Sequence, residues 1–327
     1  MSAQSQPASK IDLNSPRFDQ STYWGRAQHF LRLTNPLNLF VSDSELDEAK
    51  RVVDDFKKSQ KMPTGYDTEK LWAAKYLYDS AFHPDTGEKM FLLGRMSAQA
   101  PMNTLITGCM ITFYKTNPAI IFWQWVNQTF NAVVNYTNRS GDAPLSAQHL
   151  LMSYCAACGG ALGTAIYLNK LTKKMKNPIF GRLVPFAAVC GANFINIPMM
   201  RSNELMNGTP IYTVPEGQRV GDSVVAARTG IFLVCVSRIA MAIPGMTITP
   251  IITNWATKRG MFCHYPRAVL PFQLALVGVC VTFATPMCCA LFEQRATLPT
   301  TSLETDLQET VTKKYPKTKE VYYNKGL

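Results

Sequence analysis

Five apolar stretches lie between Pro101 and Phe292, at about 101–122, 147–169, 183–200, 227–247 and 268–292. Each approaches the roughly 20 apolar residues that a helix needs to cross a bilayer. The third is short, and the fourth contains Arg228 and Arg238, so those two boundaries are the least defined. A soluble helical domain produces one or two such runs, whereas five in about 190 residues call for lipid. The mean hydropathy of -0.04 hides this pattern, because residues 1–100 hold 26 of the 55 charged residues. The expected fold is therefore all-α, a multi-pass helical membrane protein with about five transmembrane helices. It divides into a helical soluble domain at 1–100, the membrane domain at 101–292 and a polar tail at 293–327.

Charge sets an expected orientation. Residues 1–100 carry 13 basic and 13 acidic residues and are neutral. The loop at 170–182 has Lys170, Lys173, Lys174, Lys176 and Arg182 with no acid, and the loop at 258–267 has Lys258, Arg259 and Arg267 with none. Lys and Arg in short loops fix the side on which those loops stay. With five spans, both basic loops fall on the side of the N-terminal domain, and the tail falls opposite. No basic stripe with interleaved aromatics occurs, so nucleic acid is not an expected partner. The opening M-S-A-Q-S-Q-P-A-S-K has neither an apolar core nor a small-residue cleavage site, so no secretory signal is expected. Asp12 and Asp19 interrupt the basic residues of a mitochondrial presequence, which leaves internal import signals.

In the N-terminal domain, Ser42-Asp43-Ser44-Glu45 precedes a helix with Leu46, Ala49, Val53 and Phe56 on one side. Pro63-Thr64-Gly65 breaks it, and a second helix runs from about Glu69 to Ser80. His83, Pro84, Asp85, Thr86, Gly87 and Glu88 then read as a turn, since Pro84 fixes φ and Gly87 permits a positive one. An imidazole and two carboxylates within six residues also suit metal or acid–base work, but further ligands would be needed. A short helix near Leu303–Val311 is expected in the tail.

Asn127, Asn131, Asn135 and Asn138 are spaced 4, 4 and 3, so a helix stacks them on one face. Asparagine is a mediocre helix former, because its amide competes for nearby backbone groups. Four in register therefore point to a purpose beyond helix stability. Following the first span, they sit at a membrane interface opposite the N-terminal domain. Asn193 and Asn196 share a face within the third run. Lys115 and Arg228 can reach the interface by snorkelling, while Arg238 either snorkels or faces a polar cavity. Polar groups at membrane depth are costly and mark pathways. Guanidinium for a carboxylate and amides for an ammonium or hydroxyl suit a zwitterion. Asn127, Asn135, Asn138 and Asn207 also match the glycosylation acceptor pattern.

Nine cysteines, nearly all in apolar runs, read as buried small residues rather than a disulfide framework. Cys155-x-x-Cys158 and Cys288-Cys289 lack the further ligands of a metal site. Gly159 and Gly163 form a G-x-x-x-G pair with Cys155 extending the small face, which reads as internal helix packing. No Gly-rich phosphate loop, G-x-S-x-G elbow or H-E-x-x-H occurs, so no catalytic residue, metal or cofactor is assigned and no enzyme is expected.

H-P-D-T-G-E-K at 83–89, W-Q-W-V-N-Q-T-F-N-A-V-V-N-Y-T-N-R at 123–139, N-I-P-M-M-R at 196–201 and the terminal Y-N-K-G-L closely resemble the sideroflexin family. The resemblance covers essentially the whole chain. It implies a multi-pass protein of the mitochondrial inner membrane, with the N-terminal domain in the matrix and the tail in the intermembrane space. It further implies a transporter that carries L-serine, with alanine, cysteine or glycine as related substrates, into the matrix for one-carbon metabolism. Asn127, Gln128, Asn131, Asn135, Asn138, Asn193, Asn196 and Arg238 are the candidates for the substrate path. The family's link to iron and haem metabolism finds no ligand cluster in this sequence and reads as indirect. The other readings are a non-transporting inner-membrane scaffold and a carrier of another metabolite; the sequence names no protein partner. One departure is Glu293, where the family's proline is expected, which leaves the local turn open.

Overall fold

The computed structural model describes residues 11–83, 86–113, 116–138, 147–172, 178–214 and 216–326. The N-terminal domain holds α1 (Tyr23–Leu33), α2 (Asp43–Ser59) and α3 (Thr68–Ala81). α2 opens on a capping box: Ser42 Oγ accepts from the Glu45 N–H, and the Glu45 carboxylate accepts from the Ser42 N–H. Ala49, Val53 and Phe56 then pack with Leu71, Trp72 and Ala74 of α3 and with Ile11 and Leu13. Leu46 packs against Ala81 and Phe82.

The expected first span at 101–122 is two helices, α4 (Gln99–Phe113) and α5 (Asn117–Thr137). Thr116 caps α5, its hydroxyl accepting from the Ala119 N–H at 3.4 Å, and Pro118 sits in the first turn, where its missing N–H costs nothing. The pair is a hairpin. Phe113 stacks on Trp123 with ring centroids 6.2 Å apart, and at the open end Asn138 Nδ2 donates to the Gly94 carbonyl at 2.8 Å. The asparagine segment is thus a helix, as its spacing predicts, and it is part of the bundle.

Antiparallel packing continues through α6 (Ala147–Thr172) and α7 (Pro178–Met200), then a short α8 (Ser202–Asn207). α9 (Val224–Ile243) and α10 (Thr249–Lys258) are joined by a π turn at Pro244–Ile248, and α11 (Val269–Cys289) returns. By length and apolarity, three runs among the described residues can cross a membrane: Leu151–Leu168, Val224–Lys258 and Pro266–Cys289. The five expected spans are not reproduced. The first divides into helices of 15 and 21 residues, and the third contributes only the shorter apolar piece Phe186–Met200. In α6, Gly160 is the residue that admits α7, since a β-carbon there would meet Ile195. Gly159, Gly163 and Cys155 face outward, so the G-x-x-x-G pair is not the internal packing face expected of it.

The all-α expectation is corrected by a four-stranded antiparallel sheet of order β2-β1-β4-β3. β1 (Thr209–Thr213) and β2 (Arg219–Ser223) come from the loop after α8, whereas β3 (Arg295–Pro299) and β4 (Glu320–Asn324) come from the tail, flanking α12 (Thr305–Lys314). β1 pairs with β4 in the register Ile211↔Tyr323. Ile211, Val321, Tyr323, Leu303 and Val311 make the small core beneath it. Glu304 ties this unit to the bundle by capping α9, accepting from the Val224 and Val225 N–H groups at 2.7 and 2.9 Å and from the Ser223 hydroxyl at 2.8 Å. Burial raises its pKa, yet these donors outweigh burial and hold the carboxyl below its ordinary value.

The two ends of the chain meet. Tyr23 Oη donates to the Met287 carbonyl at 3.3 Å, and Arg26 Nε donates to the Ala290 carbonyl at 2.9 Å. Arg26 also reaches Glu293 at 3.4 Å, which anchors the position where the family's proline was expected. The N-terminal domain, the sheet and the tail therefore share one end of the bundle, and the basic loop at 258–267 lies at the other. The expected placement of the tail opposite the N-terminal domain does not match these contacts, because the α4–α5 hairpin brings the chain back to the end of the bundle that it left. Epitopes at the two termini should be cleaved by protease from the same face of sealed membranes, and an epitope in loop 258–267 from the opposite face. Opposite protection of the termini would overturn this arrangement.

Candidate functional site

The bundle encloses a cavity of about 100 Å³, which exceeds severalfold the roughly 10–15 Å³ that one water requires on this measure. α5 contributes Asn127 and Asn131, α7 contributes Asn193 and Asn196, and α9 contributes Arg238 with Ser237. Five of the eight sequence candidates thus converge. Of the remaining three, Gln128 and Asn138 do not line this cavity. Gln128 is buried with its Nε2 unpartnered. Asn138 is a helix end, its amide donating to the Gly94 and Val134 carbonyls, each at 2.8 Å. The side chain of Asn135 lies outside those described.

The spacing explains the split. Residues 127 and 131 are one turn apart and face α7 and α9, while Phe130 and Val134 on the adjacent face join Ile106, Met110, Val189 and Met246 in the core. Asn138 is two turns beyond Asn131, where α5 leaves the bundle.

Other walls were missed by sequence reasoning. Gln99, Asn103 and Thr107 of α4 line the cavity, and their spacing of 4 and 4 was a signal available in the sequence. Asn103 Nδ2 donates to Gln99 Oε1 at 3.2 Å. α11 adds Thr285 and Cys289. Gly245 and Met246 come from the π turn, a local winding that recurs at functional sites. Lys325, from the residue after β4, completes one end.

The tail's Y-N-K-G segment has a structural account. Tyr323 packs over Gly230 of α9, where a β-carbon would lie 3.1 Å from its ring. Lys325 N donates to the Gln294 carbonyl at 2.8 Å, and Arg201 Nη1 donates to the Lys325 carbonyl at 2.7 Å. Gly326 adopts φ +78° beside that guanidinium. Asn324 Oδ1 accepts from the Gly326 N–H at 3.1 Å. Arg201 is itself paired with Glu204. The N-I-P-M-M-R and Y-N-K-G-L motifs, 124 residues apart, are therefore one contact.

The electrostatics point to a polar, anion-bearing guest. Among the described residues, Arg238 and Lys325 are the charged groups of the lining, and no carboxylate joins them there. Asn127 Nδ2 and Gln99 Nε2 are buried donors without a partner, a state that natural interiors seldom tolerate without a ligand or water. Burial brings Lys325 down to about 8; Cys289 opposes the shift, while Arg201, Arg238 and Arg26 add to it by repulsion.

The His83–Glu88 turn is local structure. The His83 N–H donates to the Glu88 carbonyl at 2.9 Å, Thr86 N–H to His83 Nδ1 at 3.3 Å, and Lys50 Nζ to the Gly87 carbonyl at 2.8 Å. Gly87 takes φ +66°; Pro84 and Asp85 lie outside the described residues. None of its described residues lines the cavity, and among the described residues no group of three or more His, Cys, Asp or Glu is placed to hold a metal.

Asn127→Leu removes an unpartnered buried donor and should raise stability by about 1 kcal/mol while abolishing ligand binding. Asn138→Ala should do the reverse, costing about 1 kcal/mol with binding unchanged. Thermal melts of both variants with and without ligand check the pair.

The description "Sideroflexins" belongs to the family model that matches residues 12–327. Sideroflexin-1 of Ovis aries is 54% identical over 97% of this chain and 98% of its own length. Sideroflexin-1 of Homo sapiens is 53% identical with the same coverage, and sideroflexin-3 of Mus musculus 52%. No solved structure matches the chain.

Proposed function

This chain belongs to the sideroflexin family, and from that premise we propose that it carries L-serine, and related small amino acids, across the mitochondrial inner membrane. The observation that carries the reading is the convergence of Asn127, Asn131, Asn193, Asn196 and Arg238 on one cavity inside an apolar bundle. In a low-dielectric interior unpartnered polar groups are costly, so their convergence on one cavity supports a polar guest there. Arg238 supports the α-carboxylate, and the amide oxygens of the asparagines support the ammonium and the hydroxyl. Met241, Met246 and Val281 close the apolar side of the cavity, which favours small side chains.

The π turn at Pro244–Ile248 gives the α9–α10 run a natural bending point against the cavity, as alternating access requires. The basic loop at 258–267 lies at the end away from the N-terminal domain, and the tendency of positive loops to stay on the inner side supports a matrix placement of that end. The N-terminal domain and tail then face the intermembrane space, the reverse of the placement expected for the N-terminal domain from the family.

Purified protein in liposomes should take up labelled L-serine, and Asn131→Leu should lower uptake about tenfold or more, the equivalent of one charge-assisted contact. Absence of protein-dependent uptake in either orientation, with or without a pH gradient, would sink the serine reading.

A further inference from the structure

The C-terminal tail does more than cover the bundle. Lys325 is 1% exposed, yet among the described residues no carboxylate forms an ion pair with it. A cation–π contact with Phe292, at 5.8 Å to the ring centroid, is its recorded aromatic neighbour. Its backbone is fixed on both sides, by the Gln294 carbonyl and by the Arg201 guanidinium, so the side chain is delivered into the cavity rather than left to find it. Arg238 lines the same cavity and repels it, and Arg238 also lacks an ion pair among the described residues. A buried ammonium without a counterion is costly, and a fold that only needed to fill this space would do so with an apolar side chain.

We propose that Lys325 is a substrate-binding, specificity-determining residue of the cavity, forming with Arg238 a two-cation seat for the carboxylate of the guest. The proposal rests on the reading of the cavity as the transport site, and it names the chemical class that the site selects: small carboxylates, over amides or amines of the same size. The unpartnered donors of Asn127 and Gln99 extend the same preference, since both offer N–H groups to an acceptor.

Protonation of Lys325 is then part of recognition. The charged and titratable groups that act on it are Cys289 of α11, Arg201 just after α7, Arg238 of α9 and Arg26 of α1; Arg26 in turn pairs with Glu293, and Tyr323 lies near Arg201. Only the protonated amine attracts a carboxylate, so affinity should fall as pH rises through about 8. Arginine at this position stays charged throughout that range.

Thermal shift of the purified full chain with L-serine, L-serinamide and glycolate tests this, alongside the uptake assay. In the wild type, the carboxylates should stabilise and serinamide should not. Lys325→Met should raise the ligand-free melting temperature by a few degrees, because an uncompensated buried charge is gone, and should lose the carboxylate shift. Its half-saturation for serine uptake should rise about tenfold or more, with the maximal rate changed less. Lys325→Arg should restore binding and flatten its decline between pH 7 and 8.5.

A lysine of merely structural role predicts a lower melting temperature in Lys325→Met and an unchanged carboxylate shift, and that result overturns the proposal. So does a wild type stabilised equally by serinamide, or by no carboxylate at all. Stabilisation by glycolate, lost in Lys325→Met, without serine binding or uptake leaves Lys325 as the carboxylate ligand and removes the serine reading. Serine uptake with unaltered half-saturation in Lys325→Met removes the role of Lys325 and keeps the transporter.

Discussion

The burial of the Lys325 ammonium inside an apolar helix bundle is the constraint on which the rest of this structure depends. Arg238 and Lys325 line one cavity with no carboxylate there among the described residues, and repulsion from Arg238 adds to the cost of removing the lysine from water. Everything that holds them is correspondingly well connected. Glu304 and Ser223 fix the start of the helix that bears Arg238. Strand pairing and the Arg201 guanidinium fix the segment that bears Lys325. The amides of α5 and α7 supply neutral polarity around them, which can turn either a donor or an acceptor to a zwitterion.

Helix packing makes room for this arrangement. Small residues allow close approach where helices must touch, as Gly160 does against Ile195 and Gly108 against Leu274. The π turn, by contrast, widens the backbone beside the cavity. The antiparallel hairpin of α4 and α5 brings two polar stripes to the same place, Gln99-Asn103-Thr107 from one helix and Asn127-Asn131 from the other. Because that hairpin adds a traverse, it also moves the tail to the end of the N-terminal domain, and only from there can Lys325 enter the cavity.

Much of this was legible along the chain. Residues 42–56 declare their helix through a capping box and a buried stripe, both of which are local. Asn127 and Asn131 announce a polar helix face, and Asn193 with Asn196 another. Asn138 belonged to the same sequence stripe but not to the cavity, because a stripe has no information on where a helix leaves its bundle. The split of 101–122 was marked by Thr116 and Pro118, yet the apolar residues on either side concealed it. The strands were not legible: each has five residues, and the partners β1 and β4 are more than a hundred residues apart.

By itself the sequence determined a bundle of apolar helices with a helical N-terminal domain, the family, and the helix faces on which the asparagines lie. Those follow from local hydropathy, periodicity and capping, which act within a few turns. The tertiary structure alone decided that the stripes of α4, α5 and α7 meet, that the chain ends share one face, and that the third-last residue, Lys325, sits inside the bundle. Non-local strand pairing and helix packing made those decisions, since they bring together side chains whose separation along the chain carries no trace of their contact.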